Sequence, residues 1–307
     1  MNVIVLGAGA IGSLYAAKLS TRHSVTVLVR PGHADAINER GLRLVGHEEG
    51  TFRMTAVTAL ASVPSRSLVL LTTKVNDNRL VADVLAAAIE RTPAEHVTVL
   101  CVQNGLGGED VVKQTLSERR IDEVIVLRAV TQFGAIFQEP GVVDYRVAGH
   151  TLIERGPGSD DIAEALTACG LDGRVSENIK QDVWRKLIFN CVINPVTSII
   201  GSDVGTIADP QLDPIKRPIV DECLAVAHAD GVDFTNDFIA DLARIFGPSR
   251  NIASMRQDLL KGKPTEIDFM NGAVADLGRR LGIDCPVNAA LVALIKAMEA
   301  RARFVVR

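Results

Sequence analysis

The hexapeptide "GAGAIG", which sets Gly7, Gly9 and Gly12 in G-x-G-x-x-G spacing, narrows the possible folds more than any other stretch of the chain. It follows the apolar, β-branched run "NVIVLG" and opens "AIGSLYAAKLS", which reads as a helix; "SVTVLVR" reads as a second strand. A βαβ unit therefore begins the protein. Gly7 permits the sharp turn, Gly9 lets a pyrophosphate approach the backbone, and Gly12 lets the helix pack close to the strand. The helix N-terminus, with Ala8, Ala10 and Ile11 between the glycines, offers free N–H groups to an anion. The same glycines could serve only a tight strand-to-helix turn, but their place in a βαβ unit favours a dinucleotide.

The end of the second strand bears on which dinucleotide. An acidic residue there would hold a ribose 2′-OH, whereas this chain reads "VLVRPGH", with Arg30 at the spot. A guanidinium pairs with a 2′-phosphate that a carboxylate would repel, so the expected cofactor is NADP(H). The alternative is a solvated arginine at a strand end.

Further strands are expected at "SLVLLTTK", "VTVLCVQNG" and "EVIVLRAV", with a helix in "RLVADVLAAAIE", the rhythm of an open parallel sheet. "GAIFQEPGVVDYRVAG" reads as two short strands about a Pro-Gly turn, antiparallel additions to that sheet, and "SDDIAEALTACG" as a helix. From about residue 177 onward strands nearly vanish, and amphipathic helical patterns run at 178–201, 213–231, 235–246, 252–261, 265–282 and 287–302. The expected fold is α/β: an N-terminal Rossmann-type doubly wound sheet over residues 1–174 and a C-terminal all-helical domain over 175–307. A cleft between the two is the default place for a ligand. Lys74, in "TTKVND", and Asn104, in "QNGLGG", follow strands of the sheet, where ligands of such folds sit. A surface lysine and an ordinary Asn-Gly turn are the plainer readings.

A net charge of −4 with no long basic run argues against nucleic acid or a membrane surface as partner, and no apolar run reaches the roughly 20 residues of a membrane span. A small molecule is expected instead. Cys101, Cys169, Cys191, Cys223 and Cys285 are scattered and contain no CxxC pair. That pattern fits reduced core thiols better than disulfides or a zinc site and points to the cytoplasm.

In "RKLIFNCVINPVTS", Lys186, Asn190 and Asn194 stand four apart in an otherwise apolar run. Each lies about 40° round a helix from the last, so the three form one stripe against protein or along a cleft. Burial would lower the pKa of Lys186 and suit it to proton transfer near neutrality; the alternative is a snorkelling lysine beside two satisfied core amides. Pro195 removes one backbone bond and is expected to kink the helix just past Asn194. A second polar cluster holds Ser254 and then Glu266, the latter in the first turn of a helix begun by Pro264-Thr265.

The elements "GAGAIG", "TTK", "QNG", "WRKLIFNCVINPVTSI", "ASMRQD" and "TEIDFMNG", in this order over essentially the whole chain, resemble the ketopantoate reductase family. The resemblance implies NADPH at the glycine turn, with Arg30 on the 2′-phosphate and Lys74, Asn104, Ala135 and Glu266 among the cofactor contacts. It implies Lys186 as general acid and Glu266 as the second catalytic residue, with Asn104, Lys186, Asn190, Asn194 and Ser254 on the substrate. The implied reaction is reduction of 2-dehydropantoate to pantoate, toward pantothenate and coenzyme A. Two departures touch the substrate: Asp77 stands where many members carry Gln, and Val204 stands near the place of a further asparagine. Another branched 2-oxo acid, oxidation of a 3-hydroxy acid, and a non-catalytic NADPH sensor are the rival readings. The apolar "AALVALIKAME" is either core or the face of a homodimer.

Overall fold

The computed structural model describes residues 1–305, with side chains described through Arg301. The chain forms two compact units, one of Met1–Gln103 with Gly107–Ile179, the other of Asn104–Leu106 with the chain from Lys180 onward.

The first unit contains β1 (Asn2–Leu6), α1 (Ala10–Leu19), β2 (Ser24–Leu28), α2 (Pro31–Arg40), β3 (Leu42–Gly46), β4 (Gly50–Phe52), β5 (Thr55–Val57) and β6 (Ser67–Leu71). After these come α3 (Asn78–Arg91), β7 (Thr98–Cys101), α4 (Gly108–Glu118), β8 (Ile125–Thr131), β9 (Gly134–Glu139), β10 (Val142–Val147), β11 (Thr151–Ile153), α5 (Ser159–Ala168) and β12 (Gly173–Val175). Eight strands make the main sheet in the order β12-β11-β8-β7-β6-β1-β2-β5. All its pairings are parallel except β8 with β11.

Strand periodicity distributes the core to both faces. Val3 and Val5 of β1 join Leu14 and Tyr15 of α1 in one core, while Ile4 and Leu6 join Leu85 of α3 and Leu116 of α4 in the other. Sequence order runs outward from β1 through β2 and β5 on one side, then restarts at β6 and runs through β7 and β8 on the other. The β1/β6 seam is therefore the switch point of the sheet, where doubly wound folds bind ligands.

β9 and β10 pair antiparallel, as their Pro-Gly turn implies, yet they do not extend the main sheet. They form a separate four-stranded sheet in the order β4-β3-β10-β9, in which β10 runs parallel to β3. The short β3 and β4 carry too little periodic signal to announce their partners.

The second unit contains α6 (Ile179–Ile200, whose first residue falls in the other unit), α7 (Asp213–Ala229), α8 (Phe238–Asp241), α9 (Ser254–Leu260), α10 (Asn271–Leu281) and α11 (Pro286–Val305). Its core gathers Trp184, Leu187, Ile188, Cys191 and Val192 of α6 with Ile219 and Cys223 of α7 and Val274 of α10. All five cysteines are free and buried. α6 is not interrupted at Pro195 and runs to Ile200, its neighbours Val192, Ile193 and Val196 being packed in the core.

The pattern at 235–246 divides into the short α8 and a π-turn, Leu242–Phe246. The helix expected over 265–282 begins only at Asn271. Thr265 gives its N–H and hydroxyl to the carboxylate of Glu299 on α11, at 2.8 and 2.6 Å, and Met270 has left the helical region at φ −109°, ψ −100°. Among the described residues no helix is long and apolar enough to cross a membrane.

Candidate active site

In the first unit the switch-point geometry begins at the glycines. Gly7 adopts φ +88°, open to glycine at little cost. A Cβ there would lie 2.3 Å from Thr73 Cγ2, and one on Gly12 would lie 2.6 Å from the Gly7 carbonyl oxygen. A Cβ on Gly9 would meet nothing within 4 Å. Gly7 and Gly12 are thus held by close packing, whereas Gly9 borders open space at the N-terminus of α1, where no side chain caps the helix. Ala8, Ala10 and Ile11 lie in this same turn, so their N–H groups belong to an end that attracts anions.

The neighbouring strand end is tied to this turn. The Thr72 hydroxyl donates to the Gly7 carbonyl at 3.0 Å, and the Thr72 N–H donates to Leu6 at 3.0 Å. Lys74 follows at the N-cap of a 3₁₀ turn, Val75–Asp77. Arg30 is exposed at the N-cap of α2, and its guanidinium has no carboxylate partner among the described residues. Ala135 lies in β9, half-buried against the core of this unit.

Several polar residues of this unit escaped the sequence analysis. Asn78 and Gln103 form a buried amide pair, and Arg128 donates to the Gln103 carbonyl at 2.7 Å while pairing with Glu109 at 3.1 Å. Gln103 lies two residues past β7, inside the QNG element, whereas Asn78 opens α3, Glu109 lies in α4 and Arg128 within β8, so no local pattern marks them as partners.

His33 is buried beneath the same turn. Its Nδ1 accepts the Gly141 N–H at 2.9 Å, and its Nε2 lies 3.4 Å from the Ser13 hydroxyl, which itself donates to Ala8 at 2.9 Å. Burial holds its pKa below the ordinary 6.5, because the charged ring would be desolvated.

In the second unit the stripe on α6 is present. Lys186 and Asn190 are half-buried, and Asn194 is buried with its amide 3.5 Å from the sulfur of Met270. The next residue, Asn271, donates to the Cys191 carbonyl at 2.9 Å. The far end of the stripe thereby meets the segment that follows Glu266. Asn104–Leu106 arrives at the same segment: the Leu106 N–H donates to the Phe269 carbonyl at 3.2 Å, and a Cβ on Gly105 would lie 2.3 Å from that oxygen. Gly105 takes φ +83°, and the chain bends at the Asn-Gly pair.

Glu266 is half-buried, ahead of the 3₁₀ turn Ile267–Phe269, and is not in the first turn of an α-helix. The helix-dipole account of it falls with that placement. Ser254 is the exposed first residue of α9, whose Met255 and Leu259 enter the core. The structure thus brings Gly105 and Leu106, which follow Asn104, and Asn194 of the stripe against residues 269–271, which follow Glu266.

Residues 3–158 match the family described as Ketopantoate reductase PanE/ApbA, and residues 178–299 match its C-terminal domain. The chain belongs to the ketopantoate reductase family. Among its relatives, 2-dehydropantoate 2-reductase of Pyrococcus horikoshii is 34% identical over 97% of this chain and 98% of that one. The enzyme of the same name from Vibrio cholerae is 31% identical over 97% and 98%. A PanE/ApbA family ketopantoate reductase from Ralstonia eutropha shares the fold at a TM-score of 0.89, with 31% identity and coverage of 99% of this chain and 100% of its own. D-mandelate dehydrogenase, solved with NADH and anilino(oxo)acetate, shares it at 0.87 with 25% identity, covering 98% and 99%. As a ketopantoate reductase family member, the chain is an oxidoreductase.

Proposed function

We propose that this chain reduces 2-dehydropantoate to pantoate with NADPH. The observation that carries the reading is the meeting, within one unit of a ketopantoate reductase family member, of Asn104–Leu106, the α6 stripe and the segment after Glu266.

The glycine turn fits a dinucleotide, because Gly9 leaves open space at an uncapped helix N-terminus. The NADH bound to the D-mandelate dehydrogenase neighbour supports a nicotinamide nucleotide in general. Preference for NADPH rests on Arg30, which has no carboxylate partner among the described residues and can take a 2′-phosphate. Lys74, Asn104, Ala135 and Glu266 complete the proposed cofactor contacts. When bound, NADPH supplies the hydride.

Lys186 has the chemistry of the acid: an ammonium stabilises negative charge on the substrate's C2 oxygen and then protonates it. Asn104, Asn190, Asn194 and Ser254 are neutral donors suited to the substrate's carboxylate and carbonyl. The Glu266 carboxylate accepts a hydrogen bond from the C4 hydroxyl.

The test is NADPH oxidation with 2-dehydropantoate and a panel of other 2-oxo acids, run beside Lys186→Ala. Turnover that falls about a hundredfold to ten-thousandfold in the variant is the expected result for loss of a general acid. Full activity in the variant would refute the role of Lys186, and NADPH binding with no turnover on any acid would refute the reductase reading. A second reading keeps the chemistry and changes the 2-oxo acid. It is favoured by Val204, an apolar side chain buried in the helical core, and by the D-mandelate dehydrogenase likeness. We also propose a cytoplasmic homodimer, using the exposed Leu294 of α11; sedimentation as a monomer at micromolar concentration would refute the dimer.

A further inference from the structure

In the first unit the loops after β6 and β7 are joined by two carboxamides. Nε2 of Gln103 donates to the Thr73 carbonyl at 2.7 Å and to Asn78 Oδ1 at 2.5 Å, and it lies 3.3 Å from the Thr73 hydroxyl. Nδ2 of Asn78 donates back to Gln103 Oε1 at 2.9 Å and to the Gly108 carbonyl at 2.8 Å. Each amide has two hydrogens, and all four are engaged. Asn78 is fully buried and Gln103 is 5% exposed, so water does not compete for these donors. The main chain of Gln103 is fixed as well, by Arg128 on its carbonyl.

What the pair grips is Thr73, and Thr73 is the wall against which Gly7 turns. A Cβ on Gly7 would lie 2.3 Å from Thr73 Cγ2 and 2.9 Å from its backbone nitrogen. Lys74 is the next residue along the chain. A displacement of the Thr73 peptide therefore reaches the glycine turn on one side and the Lys74 backbone on the other. A pair serving stability alone would have no need to grip the peptide that backs the anion-binding turn.

We propose that Gln103, seated by Asn78, is a positioning residue for the cofactor: it holds the Thr73 peptide so that the Gly7–Gly12 turn keeps the opening a pyrophosphate requires. The inference rests on the dinucleotide reading given above.

The experiment compares Gln103→Met with wild type, measuring the NADPH Kd by fluorescence titration, the KM and kcat, and the thermal midpoint. Met has nearly the length of Gln but no donor. Tyr15→Phe serves as the control, because its buried hydroxyl bonds Thr131 at 3.0 Å and Thr151 at 2.5 Å in the same unit. Gln103→Met is expected to raise the NADPH Kd and KM about tenfold, the scale of one buried hydrogen bond. Its kcat at saturating NADPH stays within about threefold. Tyr15→Phe lowers the thermal midpoint and leaves the Kd within about twofold.

An unchanged Kd in Gln103→Met, or equal rises in both variants, overturns the proposal while the dinucleotide reading stands. Wild-type protein that binds no NADPH overturns both. Should Gln103→Met fail to fold, Gln103→Asn carries the same expectation and the same overturning result, because its amide is one methylene too short to reach both Thr73 and Asn78.

Discussion

Replacing Gly9 by Ala separates a ligand site from a scaffold turn. Gly9 sits at φ −71°, ψ −153°, extended backbone outside the left-handed region, and its Cβ would meet no atom of the described residues within 4 Å. Two small stability effects oppose each other. Loss of unfolded-state freedom stabilises by about 0.4–1 kcal/mol, and alanine is a poorer N-cap than glycine by a similar amount. The thermal midpoint should thus stay within about 2 °C. If the pyrophosphate lies against this backbone, however, the methyl occupies its place. The clash of an added carbon with a packed neighbour is about 1–3 kcal/mol, or roughly a tenfold to hundredfold weaker Kd. Gly12→Ala is the contrasting variant: its Cβ would sit 2.6 Å from the Gly7 carbonyl, so stability itself should fall by about 1–3 kcal/mol. Calorimetric titration with NADPH beside thermal melts reads both quantities. Gly9→Ala protein with wild-type stability and wild-type NADPH affinity would refute the placement of the pyrophosphate at this turn.

Arg30→Asp should raise the NADPH Kd at least about tenfold while leaving NADH binding little changed, and an unaltered ratio of the two affinities would show that Arg30 does not meet the 2′-phosphate. His33 sets a pH dependence with a definite sign. Its folded pKa lies below 6.5, so the unfolded state binds more protons in the window between the two values. The contribution is present above about pH 6.5 and is lost as the pH falls through that window, so the drop in thermal midpoint on acidification should be smaller in His33→Gln than in wild type. Equal slopes in the two proteins would refute it. Glu222 accepts the N–H groups of Val287 and Asn288, at 2.8 and 2.9 Å, and so caps α11 from a distant helix. Glu222→Ala should destabilise by about 1–3 kcal/mol in denaturant melts, with NADPH affinity retained.

The parts of this protein that the sequence determined by itself are those built on short periods. The glycine spacing lies within one turn, the strands of the main sheet are short apolar runs, and the Lys186–Asn190–Asn194 stripe repeats within one helix, so each element carries its own signature. The fold class and the family were legible for that reason. Tertiary structure decided what depends on partners far along the chain. Thr265 is drawn out of a helix by Glu299, 34 residues away; β10 pairs with β3 rather than extending the main sheet; and Asn104–Leu106, though it follows a sheet strand, packs with Phe269 in the helical unit. The Asn78–Gln103 amides, 25 residues apart, belong to the same class. A hydrogen bond between remote residues is worth forming only when the fold has excluded water from both, and no local pattern records that exclusion.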